Sequence, residues 1–337
     1  MRTAPPATRT RKVLWTLLAL VVALLLLVAG GIAWLVASVG NDVPRIPDAF
    51  KGLENTERPA SFGGTTFLLV GTDSRSAEPT TGAAASADPG SQRSDVIMLG
   101  TLAPDGASAS VVSIPRDSWV EIPGHGPNKI NAAYAFGGAP LLIGTVEQLT
   151  GVRVDHFGVV DFAGFTSLVD SVGGIDVTVA RATSNDGVEF TEGTNHLDGA
   201  EALAYVRQRY DLPNGDLDRA ARQQNAMKAL LEKVQATAST DPASLYAFAT
   251  SVGDAVSIDD SLSNTGLVQL ALANRNLRGS DVTFVTAPVA GLGREGAQSV
   301  VYLDEARGRS LWDAVRNGSV RQFADLNPAQ TLSGTPS

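Results

Sequence analysis

Hydrophobic and polar positions divide most of this chain into short apolar runs and longer mixed stretches. Short runs bounded by glycine, such as Phe67–Val70 before Gly71, are typical of buried strands. The predicted strands cover residues 67–70, 96–102, 109–114, 156–160, 175–179, 282–287 and 298–303, and the predicted helices cover residues 130–150, 162–172, 197–205, 219–238, 242–254, 261–276 and 304–317. Because strands and helices alternate along the chain, the pattern predicts an α/β layered domain.

One apolar stretch, residues 13–39, differs from the rest because it carries no charged side chain. It exceeds the roughly 20 residues that a helix needs to cross a bilayer. The basic residues before it are Arg2, Arg9, Arg11 and Lys12. The positive-inside rule therefore predicts a cytoplasmic tail at residues 1–12 and an extracytoplasmic remainder. A cleaved signal peptide is the alternative, but its apolar region is usually only about 7–15 residues long. We predict a single-pass cell-membrane protein with an uncleaved anchor.

Composition divides the remainder into a main domain and its flanks. Residues 40–64 contain proline and are polar, which predicts a linker or a small elaboration. Residues 65–325 are predicted to form the extracytoplasmic domain, and residues 326–337 a disordered tail. Within the domain, residues 76–92 are rich in Ala, Ser, Gly, Pro and Thr, which is typical of a loop.

Charge and composition argue against several classes of protein. The chain has 26 basic and 35 acidic residues, and the four basic residues of the tail leave 22 against 35 beyond it, a net charge of −13. Such a charge argues against nucleic acid as a partner. There is no cysteine, so disulfides and thiolate metal sites are excluded. The sequence also contains no Walker A loop, dinucleotide-binding glycine turn or Gly-x-Ser-x-Gly elbow.

Arginines are concentrated between residues 207 and 223: Arg207, Arg209, Arg219 and Arg222. The planar guanidinium fork suits bidentate contacts with phosphate or carboxylate oxygens. If Asp216 or Asp218 is a helix N-cap, then Arg219, Arg222 and Gln223 share one face of the first turns. Cations at the positive pole of a helix predict a bound anion. A solvated basic face, paired with nearby acidic residues, is the alternative.

Two carboxylates are predicted to meet at one edge of the sheet. Asp73 follows the strand at 67–70, and Asp95 precedes the strand at 96–102. If these strands pair antiparallel, the end of one faces the start of the other. Close carboxylates repel unless a cation lies between them, and hard oxygen ligands suit Mg²⁺. In the alternative reading, Asp73 caps a turn and Asp95 pairs with Arg93.

Two further cations lie at positions that favour anion binding. Arg116 follows the strand at 109–114, and the carboxyl ends of strands are where open α/β sheets bind ligands. Lys129 stands at a predicted helix start, which is again favourable for an anion. The Pro115-Arg116-Asp117 segment is equally compatible with a structural turn closed by a salt bridge.

Seven motifs in order resemble one protein family. They are Gly-Thr-Asp-Ser-Arg at 71–75, Arg-Ser-Asp at 93–95, Ser-Ile-Pro-Arg-Asp at 113–117, Asn-Lys-Ile-Asn at 128–131, Val-Gly-Gly-Ile at 172–175, Leu-Asp-Gly-Ala-Glu-Ala-Leu-Ala-Tyr-Val-Arg-Gln-Arg at 197–209 and Gly-Asp-Leu-Asp-Arg-Ala-Ala-Arg-Gln at 215–223. Together they are similar to the LytR-CpsA-Psr family of bacterial cell-wall proteins, over roughly residues 65–235. Leu217 and Asp218 depart from the aromatic residue and the glycine that are usual in the last motif.

The resemblance implies a layered α-β-α catalytic domain, with a central mixed β-sheet flanked by helices behind the transmembrane anchor. It also implies an enzyme that moves a glycopolymer from a polyprenyl-pyrophosphate carrier to a muramic acid hydroxyl of peptidoglycan. The implied pyrophosphate ligands are Arg93, Arg116, Arg207, Arg209, Arg219 and Gln223, supported by Arg75, Lys129 and Arg222. Asp73 and Asp95 are implied to hold Mg²⁺, or Mn²⁺ in its place. The implied catalytic residues are Asp73, Asp95, Arg116 and Arg219. A pyrophosphatase and a non-catalytic regulator that binds lipid-linked precursors are the alternatives.

The local geometry of Arg207 and Arg209 depends on where the helix at 197–205 ends. If the helix continued through Arg209, the two side chains would point roughly 200° apart. If the chain becomes extended after Tyr205, side chains two residues apart face the same way. Joint binding of one pyrophosphate by both arginines therefore predicts the extended form.

Overall fold

The computed structural model describes residues 43–53, 57–72, 94–240, 242–332 and 336. The predicted cytoplasmic tail, the predicted anchor at 13–39 and the predicted loop at 76–92 lie outside these ranges. Among the helices within them, none combines the length and the apolar character that crossing a bilayer requires.

The elements alternate as the hydrophobic pattern predicts. The strands are β1 (Arg45–Ile46), β2 (Thr65–Thr72), β3 (Ser94–Leu102), β4 (Ala109–Ser113), β5 (Trp119–Ile122), β6 (Gly126–Lys129), β7 (His156–Asp161), β8 (Ile175–Val179), β9 (Thr183–Asn185), β10 (Val188–Phe190), β11 (Gly193–Leu197), β12 (Val256–Asp259), β13 (Val282–Thr286), β14 (Val289–Glu295) and β15 (Gln298–Leu303). The helices are α1 (Asn131–Thr150), α2 (Phe162–Ser171), α3 (Gly199–Arg207), α4 (Asp216–Thr240), α5 (Pro242–Ala255), α6 (Asn264–Ala273), α7 (Glu305–Arg316) and α8 (Val320–Leu326), with 3₁₀ turns at Gly279–Asp281 and Pro328–Gln330.

A mixed sheet of seven strands forms the centre of the described structure, in the order β1-β12-β7-β2-β3-β4-β13. The central strands β2, β3 and β4 pair antiparallel, whereas β2 pairs parallel with β7 and β4 pairs parallel with β13. The predicted antiparallel pairing of the strands beside Asp73 and Asp95 is therefore confirmed. Four two-stranded sheets lie outside the central sheet: β5–β6, β8–β11, β9–β10 and β14–β15.

Helices cover both faces of the sheet, because side chains along each central strand point alternately to opposite sides. In β3, Ile97 and Leu99 belong to the core that α1, α7 and α8 complete, with Leu142 among its members. Met98 faces the other way and packs in a second cluster with Met227 of α4. The predicted α/β fold with a mixed central sheet between helices is confirmed.

Helix α1 is broken within its first half. Gly138 has φ +61° and ψ −152°, a conformation that favours glycine, and Pro140 follows without a backbone N–H to donate. The predicted helix at 130–150 is therefore two helical segments joined by a kink. The first segment starts next to Lys129. Its Asn131 amide donates to the Arg116 carbonyl at 3.2 Å, which holds the start of α1 beside Arg116.

Helix starts follow local hydrogen bonds, and one start differs from its prediction. Asp198 caps α3 with a capping box that includes Glu201, as the sequence predicts. Helix α4 already begins at Asp216, so neither Asp216 nor Asp218 is its N-cap. Asp218 accepts hydrogen bonds from the backbone and side-chain nitrogens of Asn214 at 2.9 and 3.0 Å, and thereby closes the preceding loop.

The carboxyl-terminal region is more ordered than the sequence predicts. Helix α8 was not predicted, although its Val320 and Phe323 are buried in the main core. The predicted disordered tail is wrong for residues 327–332, because a 3₁₀ turn covers Pro328–Gln330 and Thr331 bridges to Val285 of β13. Short polar segments of this kind gain order from backbone pairing, which a search for apolar runs does not detect.

The segment before β2 is tied to the domain by a buried ion pair. Arg58 donates to both carboxylate oxygens of Glu147 in α1, with its shortest contact at 2.6 Å, and also to the Val154 carbonyl at 2.6 Å. The Glu147 carboxylate additionally accepts from the Val154 amide at 2.8 Å. Together with β1, which pairs with β12, this contact makes residues 43–53 and 57–64 part of the folded domain.

Arg58→Ala should lower the free energy of unfolding by about 3–5 kcal/mol, since it leaves the buried Glu147 carboxylate without its cation. Arg153→Ala is the matched control, because Arg153 forms a more exposed pair with Asp155 at 3.5 Å. Its loss should cost at most about 1 kcal/mol. Urea unfolding followed by circular dichroism measures both changes, and equal losses would contradict a structural role specific to Arg58.

Candidate anion-binding site

The antiparallel pairing of β3 and β4 brings Asp95 and Arg116 to one edge of the sheet. Met98 is paired with Ser113. Asp95 lies three residues before this pair and Arg116 three residues after it, so both lie beyond the same end of the ladder. The Arg116 guanidinium donates to the Asp95 carboxylate in a half-buried ion pair. Arg93, the alternative partner for Asp95, lies outside the described residues.

Two more arginines, from separate elements, converge on this ion pair. Arg209, which follows α3, lies 3.8 Å from the Asp95 carboxylate through Nη2. Arg219, in the first turns of α4, donates from Nη2 to Asp216 at 2.9 Å. The same Asp216 carboxylate lies 3.8 Å from Nε of Arg116 and so joins the two groups. The cluster therefore forms only on folding, when the strand edge and the start of α4 meet.

The cations of this cluster outnumber its carboxylates. Lys129 pairs with Asp117 at 3.1 Å, and Asp117 also lies 3.9 Å from Nε of Arg116. Within the described residues the cluster therefore contains four cations, Arg116, Lys129, Arg209 and Arg219, against three carboxylates, Asp95, Asp117 and Asp216. An added anion would be attracted to this excess of positive charge.

Two guanidinium nitrogens in the cluster are buried without an acceptor. They are Nε of Arg116 and Nε of Arg219. Buried donors are nearly always hydrogen-bonded in native proteins, so an unpaired pair of them indicates a missing acceptor. Because both belong to the same charged cluster, the oxygens of one bound anion are the simplest acceptors.

The pKa values of the two arginines shift in opposite directions. Burial lowers the pKa of Arg219 to about 10, and the neighbouring Arg116 and Arg209 add to this effect against the attraction of Asp216. For Arg116, burial also favours the neutral form, but Asp95, Asp216 and Asp117 outweigh it and raise the pKa. Arginine stays protonated in proteins, so Arg219 is a buried cation whose desolvation is offset only in part by Asp216 and Asp95.

An apolar cavity lies beside the cluster, between the sheet and helices α2, α3 and α4. Its volume is about 170 Å³. The lining is almost entirely apolar and consists of Leu69, Val70, Gly71, Val96, Met98, Val160, Asp161, Phe162, Phe165, Leu168, Leu203, Val206, Gln223, Met227 and Leu230. Gln223, a predicted pyrophosphate ligand, therefore lies at this cavity, where its amide donates to the Val206 carbonyl at 3.4 Å.

Arg207 and Arg209 have different neighbours. Helix α3 ends at Arg207, and Gln208 has φ −58° and ψ 133°, so the chain is extended after the helix. The Arg207 guanidinium lies 5.0 Å from the ring centre of Phe162, at the apolar cavity, and 3.9 Å from Asp186. Arg209 instead reaches Asp95. Only Arg209 of this pair joins the cluster in this structure.

Arg222 lies apart from the cluster although it shares a helix face with Arg219. It is fully buried, and it donates to Gln208 at 2.6 Å and to the Thr183 hydroxyl at 2.9 Å. Its guanidinium also lies 4.6 Å from the ring centre of Tyr205. Its hydrogen bonds hold the end of α3, α4 and β9 together, and its predicted supporting role in pyrophosphate binding stays a prediction.

Three predicted site residues, Asp73, Arg75 and Arg93, lie outside the described residues. The last residue of β2, Thr72, is paired with Ser94 at the start of β3. Asp73 and Arg93 are the next residues in sequence on either side of this pair. Across the part of the chain that the structure describes, no group of three or more His, Cys, Asp or Glu side chains is arranged to hold a metal.

Sequence reasoning gave no ligand-site role to Asp117 and Asp216. Asp216 was considered only as a helix cap, yet it lies three residues before Arg219, the spacing at which helix side chains meet. Asp117 is adjacent to Arg116, and its role depends on Lys129 arriving from β6. Asp216 was detectable from its helical spacing to Arg219, whereas the role of Asp117 required the β5–β6 pairing.

The fold and this site define an α/β protein with a cationic sheet edge beside an apolar cavity. The sequence pattern of the LytR_cpsA_psr family matches residues 48–317. The chain belongs to this family, and the resemblance predicted from its motifs is confirmed.

Relatives and a solved structure agree with this assignment. Cell wall biosynthesis protein LcpA of Corynebacterium glutamicum is 35% identical over 316 residues, which cover 80% of this chain and 60% of LcpA. Polyisoprenyl-teichoic acid–peptidoglycan teichoic acid transferase TagU of Bacillus cereus is 37% identical over 215 residues, which cover 62% of this chain and 67% of TagU. The crystal structure of B. subtilis TagV aligns with a TM-score of 0.60 and 27% identity, over 79% of this chain and 99% of that one. The chain thus spans less than two thirds of the length of LcpA.

Inorganic pyrophosphate should stabilise the protein by supplying acceptors to the arginine cluster. At about 100 times its Kd, a ligand that binds only the folded state adds about 2.7 kcal/mol, which a thermal shift assay detects as a rise in Tm. Arg219→Ala should abolish most of this rise, whereas Arg153→Ala should retain it. Potassium chloride at equal ionic strength controls for general screening. An equal rise in both variants would place the pyrophosphate elsewhere.

Proposed function

We propose that the protein is a phosphotransferase that moves a glycopolymer from a polyprenyl-pyrophosphate carrier to a muramic acid hydroxyl of peptidoglycan. The observation that supports this most is the convergence of Arg116, Arg209 and Arg219, with unpartnered buried donors, beside an apolar cavity. The donor likewise combines a charged part, its pyrophosphate, with an apolar part, its polyprenyl chain. The relative TagU is named as a transferase of this kind for teichoic acid.

The two parts of the site suit the two parts of this donor. The pyrophosphate oxygens accept hydrogen bonds from the arginines, including the two free Nε donors. The polyprenyl chain enters the cavity lined by Phe165, Leu203 and Met227. A volume of about 170 Å³ is smaller than the roughly 300–1,000 Å³ of pockets for drug-sized ligands. The cavity therefore takes only the first isoprenoid units, and the rest of the chain stays in the membrane.

The proposed reaction is a phosphoryl transfer without a covalent enzyme intermediate. The acceptor hydroxyl oxygen attacks the phosphorus that carries the glycan, and the bond from that phosphorus to the bridging oxygen breaks. Polyprenyl phosphate leaves, and a phosphodiester joins the glycan to peptidoglycan. Negative charge spreads over the phosphoryl oxygens in the transition state, so positioning and charge stabilisation by the arginines supply the catalysis. Asp95 or Asp73 accepts the proton of the hydroxyl.

The carboxylate ligands at the sheet edge fit Mg²⁺, or Mn²⁺ in its place, only together with phosphate oxygens. Asp95 supplies a carboxylate, a hard oxygen ligand, and Asp73 follows Thr72, the partner of Ser94 in the ladder. Asp95 is already paired with Arg116, so a cation there needs further negative charge from the substrate. When bound, the ion would neutralise charge on the pyrophosphate. We propose Asp73 and Asp95 as its protein ligands.

The proposed location follows from the substrate. A donor with a polyprenyl chain is confined to the membrane, and an anchor at residues 13–39 would hold the domain next to it on the extracytoplasmic side. Hydrolysis of the same donor by water, or binding without turnover, are the competing functions. Both retain an occupied anion site, but neither depends on a peptidoglycan acceptor.

The full chain, mixed with a polyprenyl-pyrophosphate glycan donor, Mg²⁺ and peptidoglycan, should release polyprenyl phosphate and yield glycan-linked peptidoglycan. Arg116→Ala and Arg219→Ala should each reduce the rate by about 10²–10³-fold, as expected for the loss of a donor that stabilises transition-state charge. Arg153→Ala should retain the wild-type rate. Chromatography of the released lipid phosphate and of the labelled wall material measures both products. Release that does not depend on peptidoglycan indicates a hydrolase, and binding without release indicates a regulator.

Asp73→Asn and Asp95→Asn should each weaken the dependence of the rate on Mg²⁺, because the amide oxygen is a poorer ligand for a hard cation. Asp105→Asn is the control, since Asp105 lies exposed in the turn after β3, where it accepts from the Ala107 amide at 3.0 Å. Titration of the rate with Mg²⁺ after removal of metal by a chelator gives the apparent affinity for each variant. An unchanged Mg²⁺ response in both variants would reject the paired carboxylates as ligands.

A further inference from the structure

A cavity of about 460 Å³ lies between β5, the ends of α1 and β15, and α7. Its lining includes three aromatic side chains, Trp119, Tyr302 and Trp312. The sequence has four tryptophans, and the other two, Trp15 and Trp34, precede the described residues. Both tryptophans of the described region therefore line one cavity, whose volume lies within the roughly 300–1,000 Å³ of small-molecule sites. None of these aromatic residues belongs to the arginine cluster.

The aromatic rings are held in place by the protein. The Tyr302 hydroxyl donates to the Glu295 carboxylate at 2.7 Å. Its ring lies so close to Gly293 that a Cβ there would approach Cε2 to 2.3 Å. Trp312 is only 5% exposed, packed in the main core. Rings that are already ordered lose little conformational entropy when a ligand binds.

Polar side chains surround the rings and carry net negative charge. Glu121 and Trp119 are two residues apart in β5 and so share a face of that strand. The other polar side chains of the lining are Gln148, Asp304, Glu305 and Arg309. Asp304 and Glu305 are paired with Arg307 at 3.6 Å and Arg309 at 3.7 Å, so their charges are compensated and Glu121 adds a further negative charge, which disfavours a polyanionic ligand. Carboxylate and amide groups do suit a neutral ligand with many hydroxyl and N–H donors.

We propose that this cavity is a sugar-binding subsite for the uncharged β-1,4-linked amino-sugar backbone of the peptidoglycan acceptor. The C–H faces of a pyranose ring pack against the negative faces of aromatic rings. Its hydroxyl and acetamido groups donate to the Glu121 carboxylate at the rim. The assignment of this glycan as an acceptor rests on the proposed transferase function, whereas the sugar-binding chemistry does not.

The cavity is connected to the arginine cluster by short backbone segments. Trp119 follows Asp117 by two residues, at most about 7 Å of chain, and it pairs with Lys129 in the β5–β6 hairpin. On the other side, the Val301 amide donates to the Asp117 carbonyl at 2.9 Å, next to Tyr302. A polymer strand held in the cavity is therefore near the cations that are proposed to bind the donor.

Isothermal titration of the full chain in detergent with chitotetraose, a neutral β-1,4-linked N-acetylglucosamine tetramer, tests the site. The wild type should show saturable binding, and Trp119→Ala should weaken it by at least about 10-fold, as for other aromatic anchors. Glu121→Ala, which removes an exposed side chain and spares the core, should weaken it several-fold. Phe136→Ala is the control, because Phe136 is 48% exposed and stacks on His125 rather than lining the cavity.

Absence of saturable binding by the wild type, or wild-type affinity in both cavity variants, would overturn the proposal. A polyanionic teichoic acid that binds through Trp119 in preference to chitotetraose would also overturn it. In the transfer assay, Glu121→Ala should raise KM for peptidoglycan with little change in kcat. Transfer by a wild type that fails to bind chitotetraose refutes the sugar site alone. Binding that requires Trp119, without any transfer, refutes the proposed function alone.

Discussion

The ion pair between Arg116 and Asp95 is the contact around which the candidate site is built. It joins the end of β4 to the start of β3, and the antiparallel ladder between these strands fixes its position. Arg209 and Arg219 approach it from the end of α3 and the start of α4. Buried charges are stable only when paired, so each arriving cation requires negative charge. The described carboxylates supply part of that charge, and the remaining deficit supports the proposal that this edge binds an anion.

Arg219 and Arg222 show how one helix face can carry two different functions. Both side chains are nearly or fully buried, and they are three residues apart. Arg222 donates to Gln208 and Thr183 and lies against Tyr205, so its hydrogen bonds join neighbouring elements. Arg219 has a buried Nε without an acceptor. Burial alone therefore does not distinguish the two arginines, and the unpaired Nε is the observation that supports a ligand-binding role for Arg219.

The sequence predicted the sheet edge well because strand pairing follows from local patterns. Short apolar runs bounded by glycine located β2, β3 and β4, and their antiparallel pairing brought Asp95 to the edge that Arg116 shares. The positions of Arg207 and Arg222 outside the cluster were not predictable from the sequence. They depend on contacts with Phe162, Gln208 and Thr183, which form only in the folded structure. Helix α8 was missed because it is short, and the order of the tail depends on pairing with β13.

Helix α4 carries both halves of the proposed donor recognition. Arg219 lies in its first turns, whereas Gln223, Met227 and Leu230 line the apolar cavity farther along. At 1.5 Å per residue, Arg219 and Leu230 are about 16 Å apart along the axis. One rigid element thus sets the spacing between a charged head and an apolar chain. Under the proposed function, a soluble pyrophosphate fills only the first half of this arrangement, and selectivity for a lipid-linked donor arises from the second half.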